Sequence, residues 1–107
     1  MHPPRRIAIM GGMSAALPPL EEMIRRLVAT PSVSSLQASL DQGNGPVCEL
    51  LADWLEPLGF QVSLREVPGM PGKKNLVARA GEGADGLVLA GHTDTVPYDA
   101  DSWRCDP

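Results

Sequence analysis

The chain has 107 residues, enough for one small domain, and its 43% hydrophobic and 21% charged residues are typical of an ordinary globular protein. The formal net charge is −4 and the basic residues form no dense patch, which argues against a nucleic-acid partner. No apolar run approaches the roughly 18 residues of a membrane-spanning helix, so we expect no membrane partner.

Residues 1–16 are predicted to be a disordered or extraneous tail, because prolines, arginines and a Gly-Gly pair bracket one short apolar patch. That patch, residues 7–10, is too short for the core of a signal peptide, so we predict a cytoplasmic location. Cys48 and Cys105 lack zinc-finger spacing, and in a reducing cytosol both are predicted to be free thiols.

The first predicted helix runs from Leu20 to about Ala29, where apolar residues recur at helical spacing. Pro31 follows and cannot continue the helix. Residues 30–46 are polar and have no strong period, so we predict a loop. Its serines have neither a nearby histidine nor a Gly-x-Ser-x-Gly context, which argues against a serine nucleophile.

The second predicted helix, over residues 47–58, has the strongest pattern in the chain. Its apolar side chains follow helical spacing over three turns, and Gly59 provides a stop signal at its carboxyl end. Trp54 lies on this apolar stripe, so it is predicted to be a core residue rather than a binding aromatic.

Three strands are predicted in the second half of the chain. Residues 60–67 alternate apolar and polar side chains, residues 75–80 form a second strand after a Pro/Gly-rich turn, and residues 87–91 form a short buried third strand. The order helix, helix, strand, strand, strand predicts the α/β class. It fits an incomplete, amino-terminal part of an α/β sandwich with a mixed sheet.

The third predicted strand leads into the segment that carries the candidate chemistry, Gly91-His92-Thr93-Asp94-Thr95-Val96-Pro97. In an α/β sheet, functional side chains usually lie where a strand gives way to its loop. If the segment is extended, His92 and Asp94 point to the same side. An imidazole suits zinc, and a neighbouring carboxylate can fix the imidazole tautomer or bind the metal itself.

This segment resembles the first metal-site motif of the dinuclear zinc aminoacylase and carboxypeptidase family. Four other segments of the chain resemble the amino-terminal part of those enzymes in the same order, namely residues 29–34, 51–54, 58–60 and 103–107. The resemblance implies a zinc-peptidase-like fold, with residues 17–107 as the amino-terminal portion of the catalytic metallohydrolase domain.

The resemblance also implies site roles. His92 would bind one of two Zn²⁺ ions, with Co²⁺ as a possible replacement, and Asp94 would orient that histidine and count as catalytic. The other metal ligands and the glutamate general base of the family have no counterpart in this sequence. We therefore expect an amino-terminal fragment that is inactive and unstable alone. The resemblance also implies a homodimer for the full-length protein.

The implied substrate is a small acylated amino acid. The resemblance favours removal of the acetyl group from N2-acetylornithine to give ornithine and acetate, a step of arginine biosynthesis. The alternatives are removal of succinate from succinyl-diaminopimelate, another activity of the family, or no activity in a truncated remnant. A small binding module that uses its sheet edge is a further alternative, and it predicts a stable monomer without metal.

Overall fold

A computed structural model describes residues 17–107, arranged as two helices and one β-hairpin. The predicted tail, residues 1–16, lies outside the described residues, so that boundary stays a prediction. The predicted α/β class is confirmed, and the fold is incomplete in the way a fragment would be. Within the described part of the chain, no helix is both long enough and apolar enough to span a membrane.

Helix α1 spans Leu20–Ala29, as predicted, and ends where the Thr30 hydroxyl donates a hydrogen bond to the Arg26 carbonyl at 2.7 Å. Its acidic residues lie in the first turn and basic Arg26 in the last, which complements the helix dipole. The apolar face is not buried: no α1 residue is buried, and Val28 is 69% exposed.

Helix α2 spans Gly45–Leu55 and continues as a short 3₁₀ turn, Glu56–Leu58. It begins two residues earlier than predicted, because Pro46 has the fixed φ that suits a first helical turn. Gly59 ends the turn with a φ of 89°, the left-handed conformation expected of a glycine stop. Its buried residues form most of the small core: Gly45, Val47, Cys48, Ala52 and Trp54.

Trp54 is confirmed as a core residue, with 7% of its surface exposed. The guanidinium of Arg26 lies over its ring at 5.3 Å from the centroid, so a cation–π contact joins α1 to α2. Both predicted free thiols are confirmed as unpaired cysteines; Cys48 is buried and Cys105 is exposed.

Strands β1 (Gln61–Val67) and β2 (Met70–Arg79) form an antiparallel hairpin. The second strand begins earlier than predicted. Val67 pairs with Met70, so the connection is only Pro68-Gly69, with Gly69 at φ 74°. The register of the hairpin shifts between Glu66 and Val67, because Glu66 pairs with Lys74 whereas Val67 pairs with Met70. This irregularity accommodates the extra residues of β2, which belong to the segment predicted to be a longer turn.

The prediction of a buried third strand over residues 87–91 is wrong for this structure. The segment belongs to no strand, and Leu87, Val88 and Leu89 are each at least 85% exposed. A strand needs a neighbour to pair its backbone groups, and residues 87–91 are paired with neither β1 nor β2. In the described residues the sheet is therefore two-stranded and antiparallel, and parallel pairing is limited to one isolated bridge, Val33 with Thr95.

A close backbone approach joins the loop before α2 to the hairpin. A Cβ added at Gly43 would lie 2.5 Å from the Gly72 carbonyl oxygen. We expect Gly43→Ala to destabilise the full-length protein by about 1–3 kcal/mol, the usual cost of overpacking. Gly86→Ala is the matched control, because nothing lies within 4 Å of its added Cβ. Denaturant titration of both variants measures the difference, and equal midpoints would contradict the prediction.

Candidate functional site

The structure brings the side chains of His92 and Asp94 together, as the spacing of two predicted. The His92 Nδ1 atom lies 3.2 Å from Asp94 Oδ1 and 3.0 Å from the Asp94 carbonyl oxygen. The two side chains are 82% and 50% exposed. With Nδ1 turned toward Asp94, Nε2 is the ring nitrogen left to bind a ligand from outside this pair.

The far end of the motif is fixed by backbone hydrogen bonds to the loop after α1. Thr95 N–H donates to the Ser32 carbonyl at 3.0 Å, and Ser34 N–H donates to the Thr95 carbonyl at 2.8 Å. Ser32 and Val33 are 3% and 6% exposed, so the loop segment that holds Thr95 is itself part of the buried core. The sequence predicted only a polar loop there, and Val33, an apolar residue among serines, was the one signal available.

The middle of the motif is fixed by Asn44, which sequence reasoning missed. Asn44 Nδ2 donates to Thr93 Oγ1 at 2.8 Å and to the Lys74 carbonyl at 2.9 Å. Its Oδ1 accepts from Lys74 N–H at 2.7 Å. One side chain thus joins the start of α2, strand β2 and the residue between His92 and Asp94.

An open cavity of about 410 Å³ lies beside the motif. Helix α2 and strand β2 form one side of it, and the motif forms the other. Its lining combines apolar side chains with the polar groups already described: Asn44, Cys48, Leu51, Lys74, Asn75, Leu76, Leu89, Gly91, His92, Thr93 and Asp94. A small molecule placed there could contact both the His92–Asp94 pair and an apolar wall.

Lys74, one of the lining residues, forms an ion pair with Glu49 of α2. Its Nζ lies 3.0 Å from Glu49 Oε1, and this hydrogen bond raises the pKa of Lys74 above its usual value. On the neighbouring residue, Lys73 Nζ lies 2.8 Å from Asp41 Oδ1 and holds the pKa of that carboxyl below its usual value. Lys74 is therefore charged at neutral pH, and both lysines tie β2 to α2 or to the loop before it.

The donor set fits part of a zinc site. A catalytic zinc usually takes three protein ligands. Within residues 17–107, no three His, Cys, Asp or Glu side chains are grouped to hold a metal ion. His92, oriented by Asp94 and exposed, has the chemistry of one ligand with its supporting carboxylate. The described residues supply that pair and not a whole site.

Comparison with known proteins supports the predicted resemblance. No protein-family model matches the chain. An acetylornithine deacetylase from Salmonella arizonae is 53% identical over 95 residues, which cover 89% of this chain and 25% of that enzyme. The chain thus spans about a quarter of the length of the curated relative it matches. The predicted resemblance is confirmed, and the match fits an amino-terminal fragment of such a hydrolase.

Proposed function

We propose that this chain is the amino-terminal portion of a metal-dependent amidohydrolase that removes the acetyl group from N2-acetylornithine, giving ornithine and acetate for arginine biosynthesis. The observation that carries the proposal is the contact of His92 with Asp94 in a chain that is 53% identical to an acetylornithine deacetylase. Two Zn²⁺ ions with Co²⁺ as a replacement, a cytoplasmic location and a homodimeric full-length protein are parts of the same proposal.

In this proposal His92 and Asp94 have separate tasks. His92 would present Nε2 to one metal ion, while Asp94 would accept a hydrogen bond from Nδ1–H and so fix the tautomer and the ring plane. The bound metal pair would supply a hydroxide near neutral pH and stabilise the oxygen of the amide carbonyl. The general base and the other ligands belong to the remainder of the full-length enzyme.

The first test is to read the coding DNA beyond codon 107. The proposal expects a Gly-Arg-Gly-like segment with an aspartate, followed by a Glu-Glu pair, in the same reading frame. An in-frame stop in verified genomic DNA, with no such segment downstream, would instead favour a non-catalytic truncated product. A stable metal-free monomer of 107 residues would favour the small binding module.

The substrate is tested on the full-length protein. We expect kcat/KM to be higher for release of acetate from N2-acetylornithine than for release of succinate from succinyl-diaminopimelate. The motivation is the identity to an acetylornithine deacetylase across most of the chain. Both reactions are followed with the same zinc-loaded preparation. The reverse preference would replace the proposed substrate with the succinylated one and leave the reaction class unchanged.

A further inference from the structure

Asn44 occupies the residue that precedes α2, where an asparagine usually caps its own helix. Here its side chain makes no capping hydrogen bond. All of its recorded side-chain hydrogen bonds go to residues distant in sequence, Lys74 and Thr93, which are 30 and 49 positions away. The side chain therefore serves tertiary structure instead of the helix end.

The orientation of the Asn44 amide is fixed by its partners. The Lys74 carbonyl only accepts hydrogen bonds and the Lys74 N–H only donates them, so Nδ2 must face the carbonyl and Oδ1 must face the N–H. This leaves the second Nδ2 proton aimed at Thr93 Oγ1, at 2.8 Å. The donor that reaches the motif is thus held by two hydrogen bonds to strand β2.

Thr93 differs from its two neighbours in burial and in what it contacts. Thr93 is half-buried, whereas His92 and Asp94 are exposed. The Thr93 hydroxyl contacts Asn44 and lies 4.0 Å from the Cys48 sulfur of α2, whereas the His92 Nδ1 atom faces Asp94. A hydrogen bond that fixes Thr93 against α2 and β2 consequently sets the rotation of the segment, and with it the directions of the imidazole and the carboxylate.

We propose that Asn44 is a positioning residue for the His92–Asp94 pair, acting through Thr93. This inference rests on the proposed function, because it assigns Asn44 a part in holding the metal ligand. Functional groups lose effectiveness when their support lets them drift by more than about 0.5 Å. Thr95 is tied to Ser32 at the far end of the motif, and Asn44 supplies the support between His92 and Asp94.

The experiment uses the full-length protein with its metal removed, and measures zinc affinity by competition with a chromophoric chelator. We expect Asn44→Ala and Thr93→Val each to weaken zinc binding by about 10-fold, the lower end of the usual effect of supporting residues. The double variant should have a zinc affinity no lower than that of the single variant with the lower zinc affinity, because both substitutions remove the same hydrogen bond. In the zinc-loaded enzyme, kcat should fall while KM changes little.

Lys73→Met is the matched control. Lys73 also ties the loop before α2 to β2, through Asp41 and the Gln42 carbonyl at 2.8 and 2.6 Å, but it has no recorded hydrogen bond to the motif. It should leave zinc affinity within about 2-fold of wild type, since no supporting contact of the ligand is removed. Thr93→Ser keeps the hydroxyl and should retain wild-type affinity.

The inference is overturned if Asn44→Ala weakens zinc binding no more than Lys73→Met does, or if the Asn44 and Thr93 effects multiply as independent changes. His92→Ala separates this failure from failure of the proposed function. If His92→Ala abolishes zinc binding while Asn44→Ala behaves like the control, only the positioning role is lost. If His92→Ala leaves zinc binding unchanged, the metal-site assignment and this inference fall together.

Discussion

His92→Ala is expected to remove bound metal and deacetylase activity together from the full-length protein. The substitution deletes the imidazole whose Nε2 is open to a ligand and whose Nδ1 faces Asp94. The loss in kcat/KM should exceed about 100-fold, since it removes a ligand and not only the group that orients one. Metal analysis of the purified variant and steady-state kinetics measure the two effects.

Asp94→Ala is the informative comparison. It keeps the imidazole and the backbone carbonyl that lies 3.0 Å from Nδ1, and removes only the carboxylate that lies 3.2 Å from Nδ1. More metal should remain bound than in His92→Ala, while turnover falls by about 10–100-fold. Wild-type activity in His92→Ala would contradict the metal-ligand role, and full activity in Asp94→Ala would contradict an orienting role for the Asp94 carboxylate. The two variants therefore test the two residues separately.

Residues 17–107 expressed alone are expected to show no cooperative unfolding transition and no deacetylation with added zinc. The buried hydrophobic core of the described chain is small: Val33, Val47, Cys48, Ala52 and Trp54. Burial of one large apolar side chain contributes roughly 1.5–3 kcal/mol, and complete domains retain a margin of only about 5–15 kcal/mol. The apolar side chains on α1 and in residues 87–89 remain in solvent, so they contribute little to the free energy of unfolding of this segment.

Circular dichroism during heating and the dispersion of amide NMR signals measure the folding of this segment. The full-length protein is the control, and it should unfold cooperatively. Exposed apolar strand-forming residues such as Leu87, Val88 and Leu89 should also promote association. A soluble monomer with a sharp transition would contradict the folding prediction. Turnover by the segment alone would contradict the claim that ligands from elsewhere are required.

Local structure could largely be predicted from the sequence. The 3.6-residue period placed both helices, Gly59 marked the end of the second, and alternation placed β1. These features depend on residues a few positions apart, so a linear pattern contains them. The spacing of His92 and Asp94 also predicted that their side chains would meet, because an extended segment returns to the same side every second residue.

Long-range partners were decided only by the tertiary structure. Periodicity shows that the α1 face and residues 87–91 are apolar, but burial requires a second surface, and the described residues bury no residue of α1 and leave residues 87–89 exposed. Asn44 and Ser32 looked like ordinary loop residues, yet they hold Thr93 and Thr95 of the motif in place. Their hydrogen bonds join residues 49 and 63 positions from them in sequence only once α2 and β2 have packed, which no local pattern encodes.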